Sequence, residues 1–477
     1  MRILFIASEA FPLAKVGGLA DVTSSLAIAL RDLGHEPCLI LPKYGSIKAP
    51  IQDIQVKNVA VSFMGHYEQV ALKMTRLKKR IPVYLVENDD YFGTEEIYTQ
   101  DELKRFLFFS LSIPSIISQL DFRPDIIHCH DWHTALVPLW LKKAKIALPC
   151  IFTIHNLAYQ GFFDQQFFLR SGLSSVWQEY IPVGAPRPSL NFMSQGILLA
   201  DIVTTVSPTY ASEILTSQYG EGLEQLLSYR GNELYGIVNG IDYDEYNPAT
   251  DPYLERNYDS TTLEKRVDNK LALQRKGGLP QSPDIPLFGM VSRLEEQKGI
   301  DLLLQAIGPF ITETRAQLVI LGEGREHYHK LIAEAALKYP DRLSVFIAYD
   351  ERLARLIYSG SDIFLMPSRF EPCGLGQLIA MRYGAIPVVR HTGGLVDTVK
   401  DVAEGNGNGF VFQNYTVLEM LEAIKRAEES FYHRAEWQNL MRHNMKLDFS
   451  WKASARKYEE LYLRARNVCQ TGDIIQK

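Results

Sequence analysis

Short apolar strands alternate with amphipathic helices along almost the whole chain, and few architectures accept that rhythm. Arg2-Ile3-Leu4-Phe5-Ile6-Ala7 reads as a buried strand. Leu19, Val22, Leu26, Ala29, Leu30 and Leu33 then share one helical face, Gly34 ends the helix, and Cys38-Leu39-Ile40-Leu41 opens the next strand. Further buried strands are expected at 83–86, 126–130, 151–155, 202–206 and 237–239. Apolar runs of this kind are covered on both faces, so they predict an α/β fold with doubly wound sheets. The segment 54–77 alternates more and carries fewer helix signals, which predicts a β-hairpin insertion.

From Asp242 to Pro286 the chain turns rich in Asp, Asn, Tyr, Pro and charge, with one helix near 263–274. Strand–helix alternation restarts with strands at 287–292, 317–321, 343–346, 363–366 and 386–389. A chain of 477 residues exceeds what one core supports. The expected division is a first domain at 1–241, a linker at 242–285 and a second domain at 286–452. A final helix runs on from Ala453.

The net charge of −6 argues against a nucleic-acid partner and suits a neutral one such as a glycan. Five cysteines without paired short spacings point to a reduced, cytoplasmic protein with no zinc site. The chain starts directly with a strand, not with the basic and apolar regions of a signal peptide. Its most apolar stretch, 106–117, is broken by Pro114 and serines and is too short for a membrane span.

Four turns carry chemistry. In Lys15-Val16-Gly17-Gly18-Leu19-Ala20-Asp21, two glycines admit a ligand close to backbone N–H groups at a helix start, and Lys15 adds positive charge. The plain alternative is a tight turn with a solvated lysine. Arg293 and Lys298 follow a strand of the second domain and can converge on a diphosphate, or can simply be surface cations. Glu371 precedes Cys373-Gly374-Leu375-Gly376, where glycines at a helix start expose donors for phosphate and the carboxylate suits sugar hydroxyls. A helix-capping role is its alternative. Thr392-Gly393-Gly394 opens another helix and adds anion donors.

His128-Cys129-His130-Asp131-Trp132-His133 resembles a metal cluster, but Cys129 points away from its histidine neighbours and no second ligand cluster follows. Asp131, His133 and His155 instead fall at the carboxyl ends of strands, where such sheets place functional groups. Asp242-Tyr243-Asp244 has a cation-binding spacing, yet it follows Asn239-Gly240-Ile241 and reads as a turn.

Taken in order, KVGGLADV from Lys15, DWHTALVP from Asp131, TIHNLAYQG from Thr153 and NFMSQGILLAD from Asn191 resemble the bacterial glycogen synthases and plant starch synthases. VSPTY from Val206, GIVNGID from Gly236, SRLEEQKG from Ser292, EPCGLGQLIAMRYG from Glu371 and TGGLVDTV from Thr392 extend the likeness over nearly the whole chain. The resemblance implies a retaining glucosyltransferase of the GT-B architecture: two Rossmann-like domains, a deep cleft between them, and a last helix (453–477) crossing back to the first.

It further implies ADP-glucose as donor and the non-reducing end of an α-1,4-glucan or maltooligosaccharide as acceptor, with no cofactor, metal, nucleic acid or membrane. Lys15, Arg293 and Lys298 would hold the diphosphate with backbone donors at Gly18, Leu375 and Gly376. Gly17, Asp21, Cys373, Gly374, Thr392 and Gly393 belong to the same turns. Glu371 and His155 would hold glucosyl hydroxyls, and Asp131 and Asn239 would line the pocket. Many other GT-B transferases carry a second glutamate eight residues after the first; here that position is Ile379. A UDP-glucose transferase and a weakly active glucan-binding or priming protein are the competing readings.

Overall fold

Seven strands of one sheet run parallel, wound outward in both directions from the N-terminal strand. The structure is a computed structural model that describes residues 1–50, 52–53, 59–78 and 81–471. Its strands in the first half of the chain are β1 (Arg2–Ile6), β2 (Glu36–Pro42), β3 (Gln52–Asp53), β4 (Val59–Phe63), β5 (His66–Arg76), β6 (Pro82–Glu87), β7 (Ile126–His130), β8 (Cys150–Ile154), β9 (Ile202–Thr205) and β10 (Leu234–Gly236). The parallel part has the order β10-β9-β8-β7-β1-β2-β6. At the β6 edge, β5 and then β3 add antiparallel, while β4 pairs with β5.

The expected hairpin is β4–β5, although residues 54–58 of that reading lie outside the described residues. Its turn is Met64-Gly65, both at positive φ (49° and 86°), the backbone that matches the twist of a two-residue hairpin. The strand expected at 237–239 lies instead at Leu234–Gly236. Ile237 N closes the ladder on Thr205 O at 2.9 Å, and the next carbonyl, Val238 O, accepts from Ser454 Oγ at 2.7 Å. Being at the sheet edge and only half-buried, β10 needs no apolar run to form.

The second half holds β11 (Leu287–Val291), β12 (Gln317–Leu321), β13 (Leu343–Phe346), β14 (Ile363–Met366), β15 (Ile386–Arg390) and β16 (Phe410–Phe412), all parallel, in the order β13-β12-β11-β14-β15-β16. Alternate residues serve opposite faces. Phe288, Met290, Leu318, Ile320, Ile363 and Leu365 enter one core, while Leu287, Val319, Leu321, Phe364 and Met366 enter another. That two-sided burial is why these strands read as unbroken apolar runs. Three-residue β16 was not expected, being too short to show a period.

The chain thus forms two units, Met1–Asn239 together with the residues from Trp451 onward, and Gly240–Ser450. In the second, Tyr258, Leu263, Leu273 and Leu279 of the polar intervening segment are buried in the two cores, and Tyr258 OH donates to Tyr383 O at 2.7 Å. Asp242 Oδ1 accepts from Asp244 N at 2.9 Å, so this Asp-x-Asp closes its own turn. The last helix, Trp451–Thr471, returns to the first unit, where Tyr458 and Tyr462 are fully buried; residues 472–477 of the expected helix lie outside the described residues. Among the described residues no helix is long and apolar enough to cross a membrane.

Candidate active site

In a doubly wound sheet the connections leaving two adjacent strands depart to opposite faces where the strand order reverses, and a crevice opens at their carboxyl ends. In the first unit that point lies between β1 and β7, and in the second between β11 and β14. The loops after those four strands carry Lys15, Asp131, the Arg293–Lys298 pair and Glu371.

After β1, the buried Glu9 (3% exposed) folds its carboxylate onto the glycine turn. Its Oε2 accepts from Val16 N at 2.6 Å and Gly17 N at 2.9 Å, and Tyr98 OH donates to Oε1. A helix start is a ready anion site, and here an internal carboxylate takes the two amides just ahead of it. Sequence reasoning missed Glu9 and Tyr98; the signal for Glu9 was a lone carboxylate just beyond a strand end. Lys15 Nζ donates to Asp21 Oδ1 at 2.9 Å and lies 5.0 Å from the Phe11 ring centroid. Gly17 has an extended backbone open to any residue, and nothing lies within 4 Å of where its Cβ would be. Internal packing therefore does not demand glycine there, whereas a closely approaching ligand would. Gly18 begins the helix Gly18–Asp32.

After β7, Asp131 sits at φ 57°, ψ 179°, a conformation that costs a non-glycine residue about 1–3 kcal/mol. Two bonds hold it there: Asp131 N donates to Thr153 O at 2.9 Å, and Asp131 Oδ1 accepts from His155 N at 2.7 Å. Burial raises the Asp131 carboxyl to about 7, against the N–H groups of His155 and Asn156 that lower it. His155 follows β8, and burial lowers its imidazole to about 3, so the ring is neutral at physiological pH. Its Nε2 lies 3.0 Å from His130 Nδ1. His133 points into an aromatic cluster, with ring centroids 5.0 Å from Tyr98 and 4.6 Å from Phe106. Among the described residues no three His, Cys, Asp or Glu side chains are grouped to hold a metal ion. Asn239 is 6% exposed, and its Oδ1 is buried without a partner among the described residues.

In the second unit two loops interlock. Gly299 has φ 77°, and a Cβ there would stand 2.1 Å from Pro367 O, so only glycine lets the loop after β11 touch the loop after β14. Arg369 N donates to Gln297 O at 2.9 Å across the same contact. Lys298 Nζ consequently reaches both Glu371 oxygens, at 2.8 and 2.6 Å, and Ser368 Oγ donates to Oε2 at 3.0 Å. Glu371 is only 4% exposed. A carboxylate offers about four acceptor positions. Lys298 and Ser368 occupy both on Oε2 and one on Oε1, which leaves one on Oε1 for a hydroxyl donor.

Arg293, on the same loop as Lys298, directs its guanidinium to Glu295 (3.3 Å) and Gln297 (3.2 Å). The two downstream glycine turns also meet: a Cβ on Gly394 would lie 2.2 Å from Cys373 O, and Gly394 N donates to Glu371 O at 3.0 Å. Gln377 Nε2 ties Cys373 O and Gly374 O from within the helix Gly376–Arg382. This helix, preceded by Leu375, and the helix Gly393–Thr398, preceded by Thr392, both begin without a side-chain cap. Beneath them the buried Arg390, unnoticed in the sequence, donates to Ser368 O at 2.8 Å and to Arg369 O. Ile379 is 5% exposed and packs into the core.

A family model described as the starch synthase catalytic domain matches residues 2–229, and one described as glycosyl transferases group 1 matches residues 274–443. A glycogen synthase of Geotalea daltonii is 47% identical over 97% of this chain and 98% of its own length. A glycogen synthase of Thermotoga maritima is 41% identical over 98% of this chain and 99% of its own. Among solved structures, the catalytic domain of starch synthase IV from Arabidopsis thaliana, bound to ADP and acarbose, aligns with a TM-score of 0.89 and 35% identity over 98% of this chain and 99% of that one. Sucrose-phosphate synthase from Thermosynechococcus elongatus, at 17% identity and a TM-score of 0.63, shares the fold.

Two measurements check this geometry. Gly299→Ala forces a Cβ into a carbonyl at positive φ and is expected to cost more than about 1 kcal/mol, read as a lower melting temperature. An unchanged melt would mean that the loops do not touch as described. Burial lowers the His128, His130, His133 and His155 imidazoles, so the unfolded chain takes up protons below about pH 6.5 that the folded chain refuses. Stability must therefore fall as pH drops from 7 to 5. Asp131, protonated up to about 7 when folded, opposes the trend, and Asp131→Asn should steepen the decline. A melting temperature flat across that window would contradict the buried neutral histidines.

Proposed function

The chain belongs to the family of bacterial glycogen synthases and plant starch synthases, and we propose that it transfers glucose from ADP-glucose to the non-reducing end of an α-1,4-glucan with retention of configuration. The observation that carries this reading is the Lys298–Glu371 pair at a switch point, beside two helix starts without side-chain caps. A cation and the amide donors of a helix start suit a diphosphate, and a carboxylate with one open acceptor position suits a sugar hydroxyl. The ADP in the Arabidopsis thaliana starch synthase structure supports the choice of base.

In this reading the bond from the sugar C1 to the diphosphate oxygen breaks first, leaving positive charge on the ring and negative charge on phosphate. Lys298, Arg293 and Lys15, with the amides of Gly18, Leu375 and Gly376, stabilise that leaving group; such preorganised donors are usually the largest catalytic contribution. Glu371 and His155 hold glucosyl hydroxyls, and Asp131 and Asn239 line the pocket. The acceptor hydroxyl attacks from the face the phosphate leaves and gives its proton to that phosphate. No side-chain nucleophile is needed.

Purified protein incubated with labelled ADP-glucose and maltooligosaccharide should lengthen the acceptor. Elongation from UDP-glucose alone would reassign the donor, and elongation from neither would leave a glucan-binding protein. Lys15→Ala, Lys298→Ala and Glu371→Ala are each expected to lower kcat by about 10²–10³-fold while circular dichroism stays unchanged. Full turnover in any of the three removes that residue from the mechanism.

A further inference from the structure

Beneath His155 runs a chain of polar groups that the transfer reaction does not itself use. Tyr462 OH lies 2.9 Å from His128 Nδ1, His128 Nε2 lies 2.6 Å from Thr153 Oγ1, and Thr153 Oγ1 lies 2.5 Å from Thr204 Oγ1. His130, on the same face of β7, has its ring centroid 4.1 Å from that of His128 and stacks on Phe5 at 5.7 Å. His130 Nδ1 meets His155 Nε2 at 3.0 Å, whereas His130 Nε2 is buried without a partner among the described residues. The other nitrogen of His155, Nδ1, also has no partner among the described residues but is not buried, since its ring keeps contact with solvent.

A hydrogen bond between two neutral imidazoles needs one proton between them, and the surroundings decide who supplies it. If His155 donated from Nε2, His130 would carry its own proton on the orphaned Nε2, an N–H buried with no acceptor. If His130 donates from Nδ1, its Nε2 presents only an unpaired lone pair to the interior. Orphaned buried N–H groups are rarer than under-satisfied acceptors, because the stranded N–H keeps its full desolvation penalty. His130 is therefore the donor, and His155 must carry its proton on Nδ1, the nitrogen that solvent reaches.

We propose that His130 is a positioning residue that sets the tautomer of His155, making it an obligate hydrogen-bond donor toward an oxygen of the transferred sugar. The sugar contact rests on the function proposed above; the tautomer rests only on the histidine geometry. An acceptor in the place of His130 Nδ1 would instead hold the proton on His155 Nε2, and the exposed edge of His155 would present an acceptor.

The test is long-range proton–nitrogen NMR of protein labelled with ¹⁵N-histidine, the His155 signal being assigned by its loss in His155→Ala. The expected spectrum shows His155 protonated at Nδ1. His130→Asp, whose ionised carboxylate can only accept at the place of Nδ1, should move that proton to Nε2 and lower kcat about tenfold, one hydrogen bond's worth, with KM nearly unchanged. His130→Asn, whose amide nitrogen reaches the place of Nδ1, should keep both the tautomer and the turnover. A wild-type His155 protonated at Nε2, or a tautomer unmoved in folded His130→Asp, overturns the proposal. If His130→Asp does not fold, the wild-type spectrum decides alone. Undiminished turnover in His155→Ala would sink the sugar contact instead, while the spectrum still reports on His130.

Discussion

Reversal of strand order beside a central strand is the constraint from which each site follows. Crossovers between parallel strands are right-handed, so those leaving β1 and β7, or β11 and β14, run to opposite faces of their sheet and cannot close over the strand ends. Whatever the chain places in those loops meets there. Lys298 and Glu371 stand 73 positions apart in sequence and share a bidentate ion pair for this reason. Glu9, the Lys15 turn, Asp131 and His155 gather at the corresponding point of the first unit.

The sites also concentrate what a fold ordinarily avoids. A carboxylate as buried as Glu371 is stable only because an ammonium and a hydroxyl satisfy most of its acceptor positions. Glu9 is buried under the same rule, with backbone N–H groups and a phenol in place of a cation. Asp131 adds a strained backbone, held by a strand bond on one side and the His155 amide on the other. Burial keeps the imidazoles of His128, His130, His133 and His155 neutral. Groups held away from their preferred states in this way cluster where binding and catalysis need them.

Glycine acts at these points by allowing contact between backbones rather than by loosening them. Gly299 against Pro367 and Gly394 against Cys373 each lock two loops of the second unit together.

Local periodicity was enough to locate most of the framework. The strands at 317–321, 343–346 and 363–366 coincide with β12, β13 and β14, since a strand covered on both faces is written as an apolar run. The glycine turns, Lys15, Arg293, Lys298 and Glu371 were legible too, each standing between a strand and a helix. Edge strand β10 and three-residue β16 were not, because the first is only half-buried and needs no apolar run, and the second is too short to show a period. The Glu9 clamp, the support from Arg390, the Lys298–Glu371 pair and the His130–His155 bond belong to tertiary structure alone. Each joins residues whose proximity depends on which strands lie side by side, and no local period encodes that order.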